Sequence, residues 1–333
     1  MQHAAASLDA RPKRRAGLGG RSVVVHAALP WLAPIRGGQV PFFTGLARRL
    51  AAEGVAMRVT ALGGAASQVL AEQDHLHVVV GGPAPRGMNA LHAGPAHVPG
   101  FWYLDGAGTK ENSSIRCKRF DPGQVDGAEA EYFFNGVSGF MLRENVSNLP
   151  QAARAPQEKA AAAIFLQRRA DEEVSGRRLS TEEMIRSTAE AAAGQPVFVK
   201  PHPDSAPRLI RRIEALCEGL ENVRLSRASI HDLAQAAEVV VTHASSAGFE
   251  ALMQKKPVIT CAAADYRHAT LSPRDAADLR LAVREGAREM ADFPFGKYFY
   301  WFLGRQCLEP RDAAFEERAW ARIRESALVH ARG

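Results

Sequence analysis

A chain of 333 residues exceeds what one small core organises and reads as two domains of roughly 150 residues each. Its longest apolar runs, Val23 to Leu29 and Val239 to Thr242, fall far short of the ~18 residues of a membrane-spanning helix, which excludes an integral helical membrane protein. A net charge of +6, with Arg outnumbering Lys, suits phosphates, carboxylates or an anionic lipid surface, whereas no aromatic-basic stripe, zinc spacing or helix-turn-helix signature supports nucleic acid.

Residues 1–21 carry Arg11, Lys13, Arg14 and Arg15 without an apolar segment, so they read as a disordered tail and not as a secretory signal. Cys117, Cys217, Cys261 and Cys307 are scattered without CxxC spacing, which argues against a zinc site and a disulfide framework and fits a reducing cytoplasm. The first strand is SVVVHAAL. A loop, PWLAPIRGGQ, follows it, and then an amphipathic helix, PFFTGLARRLAAEG, with Phe42, Leu46 and Leu50 at helical spacing and Gly54 as its stop. VAMRVTAL and HLHVVVG supply two more strands, the second placing His75 and His77 on one face as hydrogen-bonded or solvated side chains. RGGQ is not a GxGxxG fingerprint, so no dinucleotide site is read there. After a passage rich in Gly, Pro and His, the aromatic run FWYLD ends in Asp105-Gly106, which puts a carboxylate where a strand meets a turn; a turn-forming aspartate is the alternative reading. A helix is expected from Gly127 to Phe140, and the polar stretch from Glu144 to Lys159 is expected to connect the domains.

The second half alternates regularly. AAAIFLQ is a strand, and Ser180 with Glu183 forms a capping box for STEEMIRSTAEAAA. The strand PVFVK, a helix from Ala206 to Glu218, the strand NVRL, a helix capped by Ser229, the strand EVVVTH, the helix SSAGFEALMQ and the strand PVITC follow. This is the pattern of a doubly wound parallel sheet. Beyond Asp275 the chain reads as helical. The aromatic cluster from Phe293 to Phe302 reads as packing, for instance of a C-terminal helix crossing back over the first domain, with a membrane-facing patch as the minority alternative.

Open α/β sheets bind ligands beyond the carboxyl ends of their strands. Lys200, His202 and Asp204 follow one strand, and His243, Ser245 and Ser246 follow another, so the two groups are expected to meet above the sheet as a phosphate site. Small residues and Gly248 leave backbone N–H groups accessible there, and His202 suits donation to a leaving phosphate. Taken singly, His202 between two prolines is also a turn residue, and Ser245-Ser246 is also a helix cap.

KPHPD at Lys200 to Asp204 and VVVTHASSAGFEALMQKKPVIT at Val239 to Thr260 resemble the capsule polysaccharide biosynthesis and export family, the KpsS/KpsC-like transferases of Kdo (3-deoxy-manno-octulosonate). PFFTGLARRLAAEG and FWYLDGAGTKENSSI also look like blocks of that family. The resemblance implies an α/β, GT-B-like fold of two Rossmann-like domains facing a cleft: residues 22–150 on the acceptor side, 151–310 binding the nucleotide sugar, and 311–333 as a C-terminal helix crossing back. It implies glycosyl transfer from a CMP-sugar, CMP-Kdo, to a lipid-linked or oligosaccharide acceptor at the inner face of the cytoplasmic membrane, with a capsule synthesis or export complex as partner. Carried over by motif, His202 contacts the donor phosphate, Ser245 and Ser246 cradle it, and Glu250 lies near the ribose or sugar. Asp105 is the candidate catalytic carboxylate, with Glu111 as its rival. No cofactor or metal is expected beyond the donor. The alternatives are a CDP-polyol phosphotransferase of the teichoic-acid type and a non-catalytic glycan-binding protein of capsule export.

Overall fold

A computed structural model describes residues 20–168 and 170–330. The expected tail therefore lies almost wholly outside the described residues. From Val23 the chain runs through β1 (Val23–Ala27), α1 (Leu29–Arg36), α2 (Pro41–Ala52), β2 (Met57–Ala61), α3 (Ala65–Ala71), β3 (Leu76–Val80), β4 (Ala90–Pro95), β5 (Trp102–Asp105) and α4 (Gly127–Arg143). There follow β6 (Ala160–Phe165), α5 (Thr181–Ala191), β7 (Val197–Lys200), α6 (Pro207–Glu218), β8 (Val223–Leu225), α7 (Ile230–Ala236), β9 (Ala237–Thr242), α8 (Ser246–Ala251) and β10 (Val258–Thr260). Three helices complete the chain: α9 (Ala276–Glu289), α10 (Phe295–Phe299) and α11 (Phe315–His330).

Two compact units share these elements. The first comprises Met1–Ala96, Gly100–Ser114 and Arg305–Gly333. Its sheet has the order β2-β1-β3-β4-β5, parallel except for β5, which pairs antiparallel with β4. Because side chains alternate across a strand, Val23, Val25 and Ala27 of β1 face one way, into the core that α2 and α11 cover. His26 faces the other way, where Ser67 of α3 meets its Nδ1 at 2.7 Å and His77 of β3 meets its Nε2 at 3.0 Å. The segment expected as a loop after β1 is the helix α1: Pro30 falls in its first turn, where a missing N–H costs nothing, and the second proline, Pro34, is accommodated inside. Helix α2 ends as expected, since Gly54 takes φ +73° while the Val55 N–H reaches back to the Leu50 carbonyl.

The second unit comprises His97–Pro99 and Ile115–Gly304. Its sheet is wholly parallel, in the order β10-β9-β6-β7-β8. Counted along the chain this is strand order 3-2-1-4-5, the doubly wound arrangement, and it switches direction between β6 and β9. Helices α5, α6 and α9 cover one face, and α7 and α8 cover the other. The Ser180–Glu183 capping box forms as expected, with both reciprocal hydrogen bonds present.

The compact units divide the chain differently from the break expected near residue 150. Helix α4 belongs with the second unit because its apolar face is covered there: Phe134 meets Phe299 edge-on at 5.4 Å, and Phe299 in turn stacks on Phe249 of α8 at 5.5 Å. The aromatic run after α9 is thus core of the second unit, with Tyr298, Phe299 and Phe302 fully buried. That burial removes the membrane-facing alternative for these rings. The helix that follows, α11, lies in the first unit, where Phe315 packs against Phe42 at 5.3 Å. No helix among the described residues is long and apolar enough to cross a membrane.

Candidate functional site

Strands β6 and β9 are neighbours, but the chain leaves them toward opposite faces of the sheet, which opens a crevice beyond Phe165 and Thr242. The Thr242 hydroxyl donates to the Phe165 carbonyl at 2.7 Å, tying the two strand ends together. The same hydroxyl oxygen accepts from the Ser245 N–H at 3.2 Å, so the turn starts from a fixed point. Ser245 caps α8, its Oγ accepting from the Ala247 N–H, and its carbonyl accepts from the Tyr266 hydroxyl at 2.7 Å. Gly248 is required here by packing. A Cβ at that position would lie 2.8 Å from Thr242 Cγ2 and 2.9 Å from the Tyr266 oxygen, so only glycine lets α8 approach β9 this closely. Ser245 and Ser246 themselves are half-buried, held on a turn with no slack.

What sequence reading missed is the pair of residues behind Ser246. Its Oγ lies 3.0 Å from His97 Nδ1, and His97 Nε2 lies 2.8 Å from Asp265 Oδ1. The imidazole is 1 % exposed and Asp265 is 0 % exposed. The ring stacks on Phe249 at 5.1 Å and meets Tyr266 edge-on at 4.9 Å, while the Asn148 amide donates to the His97 backbone carbonyl at 2.6 Å. His97 sits in the Gly, Pro and His rich passage, and Asp265 follows a run of alanines. A charged residue after such a run is the one local signal that was available.

The other expected residues fall into two groups. His202 follows β7, half-buried between its two prolines, and its Nδ1 accepts from the Asp204 N–H at 3.1 Å. That bond fixes the neutral ring as the Nε2–H tautomer, a hydrogen-bond donor. Since β6 lies between β7 and β9, the His202 turn and the Ser245-Ser246 turn start about 10 Å apart, two strand spacings, on either side of the crevice. Lys200, His243 and Glu250 are engaged elsewhere. The Lys200 ammonium donates to the carbonyls of Arg227 and Ala228, bracing the loop before α7, and burial pushes its pKa down. His243 is buried and donates through Nε2 to the Leu179 carbonyl at 3.0 Å; burial lowers its pKa, which keeps it neutral in that role. Glu250 is 2 % exposed and accepts from the Ser147 hydroxyl at 3.0 Å, so it anchors the chain that follows α4.

Asp105 belongs to the first unit. Because β5 runs antiparallel, Asp105 pairs with His92, in register with Val79, and the chain then heads toward the amino edge of the sheet. Its carboxylate accepts from the N–H groups of Ala107, Gly108 and Ser114 and from the Ser114 hydroxyl at 2.5 Å. This is the geometry of the turn-forming aspartate. Glu111 lies in the short 3-10 turn Lys110–Asn112 that the same carboxylate helps to shape.

A parallel sheet of order 3-2-1-4-5 with polar turns on both sides of its switch point defines a Rossmann-like α/β unit. Residues 147–296, all of them in that unit, match the family model described as capsule polysaccharide biosynthesis protein. In fold, the chain is similar to KpsC of Thermosulfurimonas dismutans, a beta Kdo 2,7 transferase, with a TM-score of 0.50 and 16% identity over 79% of this chain and 90% of that one. A beta Kdo 2,4 transferase structure of the same KpsC gives a TM-score of 0.49 at 16% identity, over 80% and 90%. A UDP-GlcNAc 2-epimerase of Methanocaldococcus jannaschii gives 0.39 at 11% identity, over 92% and 99%. No curated protein matches by sequence. The expected GT-B-like α/β fold, with two Rossmann-like units, stands on the 2,7 transferase likeness and on the two sheets described above.

Proposed function

We propose that this chain is a glycosyltransferase of capsular polysaccharide synthesis that takes an acidic sugar, Kdo, from its CMP conjugate. The acceptor in this reading is lipid-linked or an oligosaccharide. The observation that carries it is the position of two polar turns: the His-Pro turn after β7 and the Ser-Ser turn after β9 flank the switch strand β6 at the carboxyl edge of one sheet. An anion held there meets the His202 Nε2–H from one side and serine hydroxyls from the other. Helix α8 is only six residues long, so its dipole contributes little and side-chain donors do most of the stabilising.

The reaction is substitution at the anomeric carbon. The bond from that carbon to the phosphate oxygen breaks, CMP leaves with the electron pair, and the acceptor oxygen forms the new bond as its proton passes to solvent water. Donors aimed at the departing phosphate lower the barrier because the charge develops where they already point. His202→Ala is expected to slow transfer from CMP-Kdo on the order of a hundredfold with the melting temperature unchanged. Undiminished transfer by the folded variant overturns the assignment of His202. Turnover of CDP-glycerol in place of CMP-Kdo moves the reaction to phosphorus. Stabilisation by UDP but not by CMP in a thermal-shift series overturns the cytidine donor, since a ligand that binds only the native state raises the transition.

A further inference from the structure

Two arginines stand at the carboxyl edge of the second unit's sheet, Arg168 three residues beyond the end of β6 and Arg227 two residues beyond the end of β8. Strand β7, which leads into His202, lies between those two strands. The turns that carry the arginines therefore each start about 5 Å from the His202 turn, one on either side of it. Both side chains are exposed, and among the described residues neither guanidinium has a hydrogen-bond or ion-pair partner.

Acids lie close in sequence, yet they are spent on other groups. Asp171, three residues after Arg168, is taken by Arg177 at 3.3 Å and by the Thr181 hydroxyl at 2.6 Å. Asp232, five residues after Arg227, is buried against Arg154 and the Ala155 N–H. Glu172, Glu173 and Asp204, exposed on the same turns, form an ion pair with neither arginine. The backbone beneath Arg227 is held firmly for an exposed turn. The Ser226 N–H donates to the Val199 carbonyl at 2.9 Å, the Ala228 N–H donates to the Ser226 hydroxyl, and the Lys200 ammonium donates to the carbonyls of Arg227 and Ala228 at 3.2 and 2.6 Å. The Leu166 N–H donates to the Lys200 carbonyl at 3.1 Å, so the ends of β6, β7 and β8 are tied to one another. A fixed backbone under an unpaired guanidinium reduces the ordering cost when an anion docks.

A guanidinium presents a planar fork of donors that matches a carboxylate or a phosphate. We propose that Arg168 and Arg227, bracketing the His202 turn, form a second anion subsite that reads a negative group of the bound nucleotide beyond its first phosphate. This deepens the nucleotide-site reading above and rests on it. In a CMP-sugar that group is the carboxylate of an acidic sugar; in a nucleoside diphosphate it is the second phosphate. Two unpaired positive charges beside the crevice favour a ligand with a further negative charge over a neutral sugar of the same size, so the subsite selects the donor by charge.

The test is calorimetric titration of the intact chain with CMP, CDP and CMP-Kdo, without acceptor, for the wild type, Arg168→Gln, Arg227→Gln and the double variant. Glutamine keeps a polar side chain at both exposed positions, and thermal melting checks the fold. The wild type is expected to bind a ligand with a second anionic group roughly 10- to 100-fold more tightly than CMP, a gain that shrinks as ionic strength rises. Each single variant is expected to cut that gain about 10-fold, and the double variant to abolish it. A gain for CMP-Kdo marks the carboxylate as the group read, whereas a gain for CDP alone upholds the subsite and overturns the acidic-sugar donor. Binding of CMP with no gain for either larger ligand, or an undiminished gain in the folded double variant, overturns the subsite and leaves the nucleotide reading standing. UMP and UDP form a parallel series. A gain for UDP over UMP without binding of the cytidine ligands upholds the subsite and overturns the cytidine donor, and binding of no nucleotide overturns both.

Discussion

The carboxylate of Asp105 gathers the N–H groups of Ala107, Gly108 and Ser114 together with the Ser114 hydroxyl, and so closes the loop that follows β5. Removing its charge weakens several charge-assisted bonds at once and leaves N–H groups without their acceptor. Asp105→Asn is therefore expected to lower stability by about 1–3 kcal/mol, read by urea denaturation, while transfer by the folded fraction changes less than tenfold. A hundredfold loss of transfer at unchanged stability returns Asp105 to catalysis. The same scale explains which site residues could be read from sequence. His202, Ser245 and Ser246 follow strands directly, so the strand itself announces their place. His97 lies 149 residues from Ser246, and the hydrogen bond that joins them exists only once the chain is folded. Lys200 and His243 were expected as ligand contacts for the same positional reason, yet both reach backbone carbonyls, because polar groups buried at a strand end must first satisfy the loops around them.

At the scale of elements, the second unit was legible because a parallel sheet buried on both faces writes its strands as continuous β-branched or small apolar runs, and caps mark its helices. Strand β4, ALHAGP, was missed: glycine, proline and histidine hide its alternation, and it is recognisable only by its partners β3 and β5. The direction of β5 was equally unreadable, since strand propensity carries no sense of parallel or antiparallel. Helix α11 shows how far apart in sequence one core can be assembled. Phe315, Ala319, Trp320 and Ile323 line one side of it, and all are buried in the cluster that holds Phe42, Leu46 and Leu50 of α2. The two helices meet at Gly45, where a Cβ would lie 2.7 Å from the Phe315 ring. Trp320→Ala is expected to cost about 3–5 kcal/mol, the range for removing a buried tryptophan, measured as a lower urea midpoint at unchanged slope. A loss below about 1 kcal/mol contradicts this placement of α11.

In both units, several buried histidines serve as hydrogen-bonding groups whose pKa burial lowers, and this gives the molecule a direction in pH. His26 in the first unit has its pKa lowered to about 4, first by burial and then by the neighbouring His77. His231 and His243 in the second unit are lowered as well, chiefly by burial. In each case the unfolded chain binds a proton near the ordinary value of 6.5, whereas the folded chain resists it. Between those two values the unfolded state holds more protons, so stability is complete above pH 6.5 and falls as the pH drops toward the folded value. For His26 the window runs from 6.5 to about 4, and the full loss is on the order of 3 kcal/mol. Urea midpoints are therefore expected to be flat from pH 8 to 7 and to decline steeply between pH 6 and 4.5. His26→Gln, which keeps a polar group between Ser67 and His77, is expected to lower stability at pH 7.5 and to make the acid decline shallower. An acid decline of undiminished steepness in that variant means the proton is taken up elsewhere. The two effects separate because losing a packed imidazole acts at every pH, whereas losing its suppressed protonation acts only below 6.5.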